Sequence, residues 1–321
     1  VRVNIVVQGD GILADFSRSD PQARGCINAT YGVTASATYN AILHIVDNEI
    51  PHNAGCYRPI RIIAPPGSCV NVLHPGPSVA GNTETHPRIV DAVLGALAQA
   101  IPDRVAAAEG GTSCNFLFGG VHPESSQYYV CYHFEAGGWG AASWRDGNNA
   151  VVVPNGNCRN TPVEIFETRF PYLTKSYALV PDSGGAGEFR GGLGIRRVLE
   201  VTAPQITLSA LFERMKVKPW GLFGGGEGAN SALLIRRKGM PDFRPFSDVF
   251  GTVSAAKFVN VTLEQGDEVL LQSPGGGGFG RPQDRAVERL LRDLKEGFVS
   301  PEAAWTRYGM DLSSMDHDLQ M

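Results

Sequence analysis

Three short segments between residues 182 and 280 consist largely of glycine, and they restrict the possible folds of this chain more than any other feature. They are Asp182–Gly194, Gly221–Gly228 and Pro274–Gly280. Glycine permits positive φ and a close approach of backbone to backbone, and converging amides can also bind an anion. None of the segments has the lysine of a P-loop or the strand–GxGxxG–helix context of a dinucleotide site. Physical chemistry alone favours tight packing over ligand binding, and both interpretations stay open.

The remaining composition is that of a globular protein with one large or two medium-sized domains. The 321 residues are 43% hydrophobic and 19% charged, with a net charge of −4. That charge gives no attraction for nucleic acid or an anionic membrane, and no apolar run approaches the roughly 18–20 residues of a membrane span. The six cysteines form no CxxC pair. We expect free thiols and a cytoplasmic protein.

Hydrophobic periodicity predicts an α+β fold. A mixed lobe over residues 1–150 should pack helices on a sheet, a β-rich lobe with glycine and proline turns should cover 151–281, and a helical segment should follow over 282–312, with a tail at 313–321. The predicted helices are 32–49, 87–101 and 283–295. The predicted strands are 1–8, 11–16, 57–63, 128–135, 150–153, 177–181, 194–201, 206–211, 232–237, 259–263 and 268–272.

A few polar residues are candidates for acid–base chemistry. His133 lies in a predicted strand next to Glu135, and Asp146 follows a glycine-rich break. Glu164 and Glu167 are three residues apart, so on a helical turn they share one face. The alternatives are a core histidine and carboxylates that pair with nearby arginines. The seven histidines show no HxH or HExxH spacing, so no zinc motif is present and no metal ligand is assigned.

Taken in order along the chain, these segments resemble the hydantoinase B/oxoprolinase family. The matching pieces span nearly the whole chain: Asp15 and Phe16 with Ile27 and Asn28; Asn53, Gly55 and Arg58 to Ile60; Pro77 with Gly81 to Glu84; Gly137 and Gly138; Asp146 and Gly147; Pro162, Glu164 and Glu167; Asp182 to Gly194; Pro219 to Gly221; Ser273 to Gly280; Gly297 to Ser300; Tyr308 and Gly309. Each piece is weak alone, and their number and order carry the resemblance.

The resemblance implies one component of an ATP-dependent amidohydrolase. A hydantoinase A-type partner would bind ATP and phosphorylate a cyclic amide, such as a hydantoin, 5-oxoproline or a lactam, and this chain would help to open the ring. A divalent metal often takes part, but the family's metal-binding stretch, Gly-Gly-Thr-His-Leu-Pro-Asp, does not occur in this sequence. We therefore expect the metal on an N-terminal part of the B component or on another chain.

For the function that the resemblance implies, we expect two sets of site residues among the candidates of this chain. The catalytic set is Asp146, Glu164, Glu167 and His133, and the substrate- and phosphate-binding set is Asn82, Glu84, Asp182, Gly184, Gly185 and Arg190. Two alternative functions stay open: a subunit of an ATP-dependent ketone carboxylase of the acetone or acetophenone type, and a non-catalytic scaffold subunit of such a complex.

Overall fold

The structure, a computed structural model, describes residues 1–47 and 49–311; the predicted tail at 313–321 lies outside them. The first part of the chain forms a small sheet and its helices: β1 (Asn4–Gln8), β2 (Gly11–Asp15), α1 (Tyr31–Leu43), α2 (Ala54–Tyr57), β3 (Ile60–Ile63) and α3 (His86–Leu97). A π-helical turn, Gly81–Thr85, leads directly into α3. β1 and β2 form an antiparallel hairpin, and β3 joins β2 in parallel. The buried faces of α1 and α3 share one apolar core with this sheet.

Two larger antiparallel sheets make up most of the rest of the fold. Their elements are β4 (Asn115–Val121), β5 (Tyr128–His133), α4 (Val163–Arg169), β6 (Tyr172–Leu179), β7 (Ile195–Val201), β8 (Gln205–Leu211), β9 (Ala232–Arg236), β10 (Arg244–Pro245), α5 (Phe246–Phe250), β11 (Lys257–Glu264) and β12 (Glu268–Gln272). The strand orders are β10-β9-β12-β7-β6 and β11-β8-β4-β5. Buried side chains of both sheets form a single apolar core, as in a sandwich.

The four-stranded sheet leaves one face open on the side of β4 and β5. Its outward side chains include Leu117, Val121, Tyr128, Val130 and Tyr132, all of them exposed. β5 is the edge strand of this sheet, and its outward positions carry no charge.

The C-terminal part is helical. A 3₁₀ turn, Pro282–Asp284, precedes α6 (Val287–Lys295) and α7 (Pro301–Tyr308). The Ser300 hydroxyl accepts a hydrogen bond from the Ala303 amide, at 3.1 Å, and so caps α7. Gly309 ends that helix with a φ of 74°, a conformation that favours glycine.

The glycine-rich segments pack against one another and form what we call the glycine layer: residues 137–140, 182–194, 221–228 and 274–280. A Cβ on Gly192 would lie 2.0 Å from the carbonyl oxygen of Asn148, and one on Gly276 would lie 2.0 Å from that of Trp139. The Gly276 amide donates to the Gly192 carbonyl at 2.9 Å, and the Gly185 amide donates to the Gly276 carbonyl at 2.8 Å. Glycine is needed at these positions because the backbones are in direct contact, as the interpretation of tight packing predicts.

The layer joins the sheets to the rest of the chain. β7 begins directly after Gly194 and β12 ends just before Pro274, so the layer continues this strand pair beyond the sheet. The Gly277 amide donates to the carbonyl of Ala108 at 2.7 Å. Through that contact the layer holds the segment that leads into β4.

The α+β class and most elements are confirmed, and several predicted elements are corrected. The strand predicted at 57–63 begins at Ile60, because Tyr57 ends α2, and the strand predicted at 177–181 spans Tyr172–Leu179. The predicted strand at 150–153 is wrong, because Ala150 has a φ of 52° and Val151 makes only an isolated bridge to Gly137. α1 ends at Leu43 rather than at residue 49; the Ile45 amide bonds to the Ile42 carbonyl three residues back and closes the helix. The helix predicted at 283–295 is interrupted at Arg285, whose ψ is 126°. β4 pairs with β5, which precedes residue 150, and with β8, which follows it, so one sheet contains strands from both sides of that residue.

The glycine layer generates a stability prediction. We expect Gly192→Ala to lower the free energy of unfolding by about 3 kcal/mol or more, because its Cβ meets only backbone atoms that cannot move aside. Gly25→Ala is the matched control, since a Cβ at Gly25 meets no atom within 4 Å. Urea unfolding of both variants checks this. Equal midpoints for the two variants would contradict the role of close packing.

Candidate active site

Buried glutamates surround the segment that leads from the glycine layer into β4. Glu84, Glu109 and Glu135 are 1%, 6% and 2% exposed. Burial raises the pKa of Glu84 to about 8 and that of Glu135 to about 7, and it also raises the pKa of Glu109. Both Glu84 and Glu135 lie near enough to the Cys114 thiol to raise its pKa, although burial of that thiol contributes more. Carboxyl groups that titrate near neutral pH are suited to acid–base catalysis.

Glu84 is carried by the π-helical turn, a distortion that is frequent at functional sites. Its Oε1 accepts a hydrogen bond from Asn115 Nδ2 at 2.7 Å, and Asn115 Oδ1 accepts one from the Tyr132 hydroxyl at 2.5 Å. Oε2 is buried and has no hydrogen-bond partner among the described residues. The Thr112 hydroxyl lies near and favours the charged form, but burial outweighs it and keeps the pKa high.

Glu135 belongs to a second cluster on the other side of β5. Its Oε1 forms an ion pair with Arg197 Nε at 2.8 Å, and its Oε2 accepts a hydrogen bond from the Tyr177 hydroxyl at 3.4 Å. The Arg197 guanidinium stacks on the Tyr177 ring, 4.1 Å from its centroid. Burial raises the pKa of Glu135, and the positive charge of Arg197 partly offsets this.

His133, one of the predicted catalytic residues, faces this second cluster. Its Nε2 is 3.6 Å from Glu135 Oε1, and its ring packs on Phe116 and Phe166. Burial and the charge of Arg197 lower the pKa of His133 to about 4. His133 is therefore neutral at physiological pH, and the carboxyl of Glu135 is the group of this pair that titrates near neutrality.

A cleft of about 370 Å³ lies next to these two clusters. Phe134 and Ala136, the neighbours of Glu135, line it together with Cys158, Arg159 and Asn160. Asn160 Nδ2 donates a short hydrogen bond to the Tyr177 hydroxyl, so the cleft connects to Glu135 through that tyrosine.

The loop that covers the cleft also contacts the turn that carries Glu84. Asn155 Nδ2 donates to the backbone carbonyl of Asn82 at 2.6 Å. Asn82, predicted to bind substrate, is exposed at this contact. The exposed Arg159 supplies a positive charge in the lining of the cleft. Arg159 thus lines the cleft itself, whereas the two buried carboxyls lie behind its lining: Glu135 is linked to it through Tyr177 and Asn160, and the turn of Glu84 through the contact of Asn82 with Asn155.

Glu109 has a different environment. Its carboxyl accepts the Gly111 amide at 2.7 Å, and Arg88 lies 3.7 Å from its other oxygen. Arg214 Nη2 contacts Asp91 Oδ2 at 2.6 Å and donates to the Glu109 backbone carbonyl at 3.2 Å. This cluster ties α3 to the segment before β4, which indicates a structural role.

Asp146 and Arg190 also lie in a buried charge cluster. Asp146 accepts two hydrogen bonds from the Arg285 guanidinium, at 2.8 and 2.9 Å, and one from the Arg190 amide at 2.7 Å. Burial opposes ionisation of Asp146, but the hydrogen bonds from Arg285 prevail and lower its pKa. Arg190 donates to Gly191 and contacts Asp293. These contacts account for both side chains without a substrate.

The other predicted binding residues of the glycine layer serve packing contacts. Asp182 Oδ1 accepts the amide of Ser300, the capping residue of α7, at 2.9 Å. Cβ atoms on Gly184 and Gly185 would lie 2.0 and 2.1 Å from backbone carbonyl oxygens. The Gly185 amide already donates to Gly276, so it is not available to an anion.

Glu164 and Glu167 do lie on one helix, α4, as their spacing predicts. Glu164 is exposed, and Glu167 Oε1 accepts the Thr174 amide at 2.6 Å, which fixes α4 to β6. Across residues 1–47 and 49–311, no three His, Cys, Asp or Glu side chains form a group that could hold a metal ion. No helix in that part of the chain is long and apolar enough to cross a membrane.

Comparisons with known proteins agree with this architecture. The hydantoinase B/oxoprolinase family matches residues 1–282, and the chain belongs to that family. It is 34% identical over 318 residues to an uncharacterised protein of Methanocaldococcus jannaschii, across 99% of this chain and 53% of that protein. The chain therefore spans about half the length of this relative.

Two solved structures share the fold. The ATP-dependent caprolactamase of Pseudomonas jessenii superposes with a TM-score of 0.84 at 26% identity, over 99% of this chain and 55% of that chain. An acetone carboxylase superposes with a TM-score of 0.81 over 96% of this chain and 44% of that chain. Its identity is only 20%, so this second likeness shows the fold alone.

Sequence reasoning missed most partners of Glu84 and Glu135. Asn115, Tyr177 and Arg197 come from distant strands, and no local spacing links them to the glutamates. One signal was available for Arg197: an arginine at an inward position of a strand is rarely buried without a carboxylate partner. Arg197 occupies a buried position of β7.

The buried glutamates generate a prediction about stability and pH. Because the pKa of Glu84 is higher in the folded protein than in the unfolded chain, the folded state holds a proton that the unfolded state has lost, and stability falls as pH rises to about 8. Burial holds the pKa of His86 and His133 near 4, so above pH 6.5, their ordinary pKa, both are neutral in either state. We expect the free energy of unfolding of Glu84→Gln to fall less steeply with pH than that of wild type between about pH 6.5 and 8. The two slopes should differ by up to about 1 kcal/mol per pH unit.

Urea unfolding of wild type and Glu84→Gln across this range measures the effect. Glu164→Gln is the control, because Glu164 is exposed. Parallel stability curves for wild type and Glu84→Gln would show that Glu84 titrates in its ordinary range.

Proposed function

We propose that this chain is a component of an ATP-dependent amidohydrolase that opens a cyclic amide, a hydantoin, 5-oxoproline or a lactam, after its phosphorylation by a partner subunit. The observation that carries the proposal is the similarity to the ATP-dependent caprolactamase over 99% of this chain. The chain spans about half of that protein, so in this proposal it acts together with other parts of the complex. We place the reaction in the cytoplasm, where ATP is available.

Phosphorylation makes the chemistry tractable. Amide resonance slows attack by water, and conversion of the carbonyl oxygen into a phosphate ester removes that resonance. A general base then activates water to attack the carbonyl carbon, and a general acid protonates the ring nitrogen as the C–N bond breaks. A second water hydrolyses the acyl phosphate that remains to a carboxylate and inorganic phosphate. The two groups must titrate on either side of the working pH, which is how paired carboxyls divide such roles.

Glu135 and Glu84 match these two requirements. Glu135 has a pKa of about 7, so at neutral pH it is ionised in about half of the molecules and can take a proton from water through the Tyr177 hydroxyl. Glu84 has a pKa of about 8, so its carboxyl is mostly protonated at neutral pH and can donate that proton to the ring nitrogen. Arg159 in the cleft lining offers a positive charge to the phosphate group.

In this proposal, ATP and the divalent metal bind to other parts of the complex. The layer amides described above already donate to backbone carbonyls, so they do not form a phosphate cradle. A hydantoinase A-type subunit would bind ATP, and the N-terminal part of the B component or another chain would bind the metal.

Substitution of Glu135 tests the proposal in the reconstituted complex. We expect Glu135→Gln to lower ring opening of a cyclic amide by about 100-fold or more, the usual contribution of a general base. Glu164→Gln should stay within about two-fold of wild type, because Glu164 is exposed and away from the cleft lining. The measurements are ring-opened product, substrate-dependent ATP turnover and complex assembly by size-exclusion chromatography.

Each alternative gives a distinct result. Wild-type turnover by Glu135→Gln in an intact complex would favour a scaffold role for this chain. ATP turnover that requires a ketone and bicarbonate, and is absent with every cyclic amide, would identify a ketone carboxylase.

A further inference from the structure

Tyr132 connects the open face of the four-stranded sheet to the buried carboxyl of Glu84. The Tyr132 side chain is 52% exposed, whereas Asn115 is 4% exposed and Glu84 is 1% exposed. The phenol donates to Asn115 Oδ1, and Asn115 Nδ2 donates to Glu84 Oε1. The chain of contacts therefore runs from the surface to one oxygen of the carboxyl.

The direction of these hydrogen bonds fixes the orientation of the Asn115 amide. A side-chain amide can rotate by 180°, which exchanges its oxygen and nitrogen, and its neighbours decide between the two orientations. A hydroxyl can accept as well as donate, so the phenol alone tolerates both. An ionised carboxylate accepts only, and the amide nitrogen must then face Glu84. A phenol donates a hydrogen bond more readily than it accepts one, so the Tyr132 proton favours the same orientation of the amide when Glu84 is neutral.

The orientation of Asn115 determines where Glu84 carries its proton. Oε1 already receives an N–H, and a proton on Oε1 would point at that N–H. The neutral carboxyl therefore carries its proton on Oε2, the buried atom without a hydrogen-bond partner among the described residues. A buried donor without a partner is costly, so the neutral carboxyl needs an acceptor at this atom, which either the nearby Thr112 hydroxyl or an atom of a ligand can supply.

We propose that Tyr132 and Asn115 are positioning residues that hold the Glu84 proton on Oε2, from which it passes to the ring nitrogen as the C–N bond breaks. The bonding electrons of the C–N bond go to nitrogen, the Oε2–H bond breaks, and Glu84 is left as a carboxylate that accepts the Asn115 N–H. This inference rests on the proposed function for the identity of the proton acceptor. The placement of the proton rests on the hydrogen bonds alone.

Other groups face Glu84 and act on its pKa. Glu213 raises it, whereas Arg88, the Thr112 hydroxyl and the Ser113 amide lower it. The Cys114 thiol lies close by and stays protonated, because burial raises its pKa well above the ordinary value. All of these groups are unchanged when only the Tyr132 hydroxyl is removed.

Tyr132→Phe is the test, because it removes one oxygen and keeps the ring. Without the phenol, the Asn115 amide is free to rotate when Glu84 is neutral, and its Oδ1 can then accept the carboxyl proton and stabilise the neutral form. We expect the pKa of Glu84 to rise by about half a pH unit or more. A ¹³C NMR titration of the glutamate carboxyls in the isolated chain measures this, with Glu84→Gln to assign the signal.

Tyr128→Phe is the matched control. Tyr128 lies on the same strand and the same open face and is 75% exposed, and its hydroxyl makes no hydrogen bond to a described side chain. We expect Tyr128→Phe to leave the Glu84 titration unchanged. Equal titrations for Tyr132→Phe, Tyr128→Phe and wild type would overturn the positioning role.

The reconstituted complex supplies the second measurement. For Tyr132→Phe we expect kcat at pH 7 to fall by about ten-fold with little change in KM, and the alkaline limb of the pH profile to move up with the pKa of Glu84. An unchanged kcat and pH profile, with a shifted Glu84 titration, would overturn the transfer from Oε2. Absence of cyclic-amide turnover in the wild-type complex would instead reject the proposed function, while the NMR titration would still decide the positioning role.

Discussion

The structure depends on direct contact between backbones in the glycine layer. Peptide groups of four chain segments lie so close that a single methyl group at Gly192 or Gly276 would overlap a carbonyl oxygen. Because many of these amides donate to one another's carbonyls, the layer satisfies much of its own backbone hydrogen bonding, and side chains such as Asp146 and Arg190 supply the rest. The same property removes these amides from ligand binding. A glycine-rich loop in this protein is a structural element, and the chemistry has to come from side chains outside it.

The layer also explains why titratable groups can be buried nearby. Moving a carboxyl out of water is costly, and the cost is tolerated where surrounding groups are held in fixed positions. The segment from Glu109 to Asn115 is anchored to the layer through Ala108 and to α3 through Arg88, Asp91 and Arg214. β4 therefore starts from a fixed point, and the partners of Glu84 are fixed with it.

The sequence was sufficient for the parts of this fold that depend on neighbouring residues. The first hairpin, α3 and strands β7, β8 and β12 follow from apolar periodicity and turn residues. β4 was missed because Gly119 and Gly120 interrupt its apolar pattern, although it lies inside its sheet and pairs with strands on both sides. Propensity disfavours two glycines in a strand, and tertiary pairing overrides it here.

The candidate site shows the same difference between what depends on neighbouring residues and what depends on distant ones. Asp146, Glu84 and Arg190 were predicted as site residues from the sequence, but their chemistry depends on partners that no local pattern reveals. Asp146 pairs with Arg285 at the other end of the chain, and that pairing lowers its pKa. Glu84 hydrogen-bonds to the Asn115 amide, and burial raises its pKa. Two carboxyls that look alike in sequence thus acquire opposite properties from residues more than thirty positions away.

The difference between Glu84 and Glu135 follows from the same comparison. Both are almost fully buried, so desolvation alone would treat them alike. Glu135 has the guanidinium of Arg197 beside it, whereas Glu84 has a neutral amide and the negative charge of Glu213 near it. Burial raises the pKa of both carboxyls; Arg197 offsets part of that effect at Glu135, whereas at Glu84 the opposing charges of Glu213 and Arg88 act together. One residue type can then supply both an acid and a base, because the fold places Arg197 beside Glu135 and not beside Glu84.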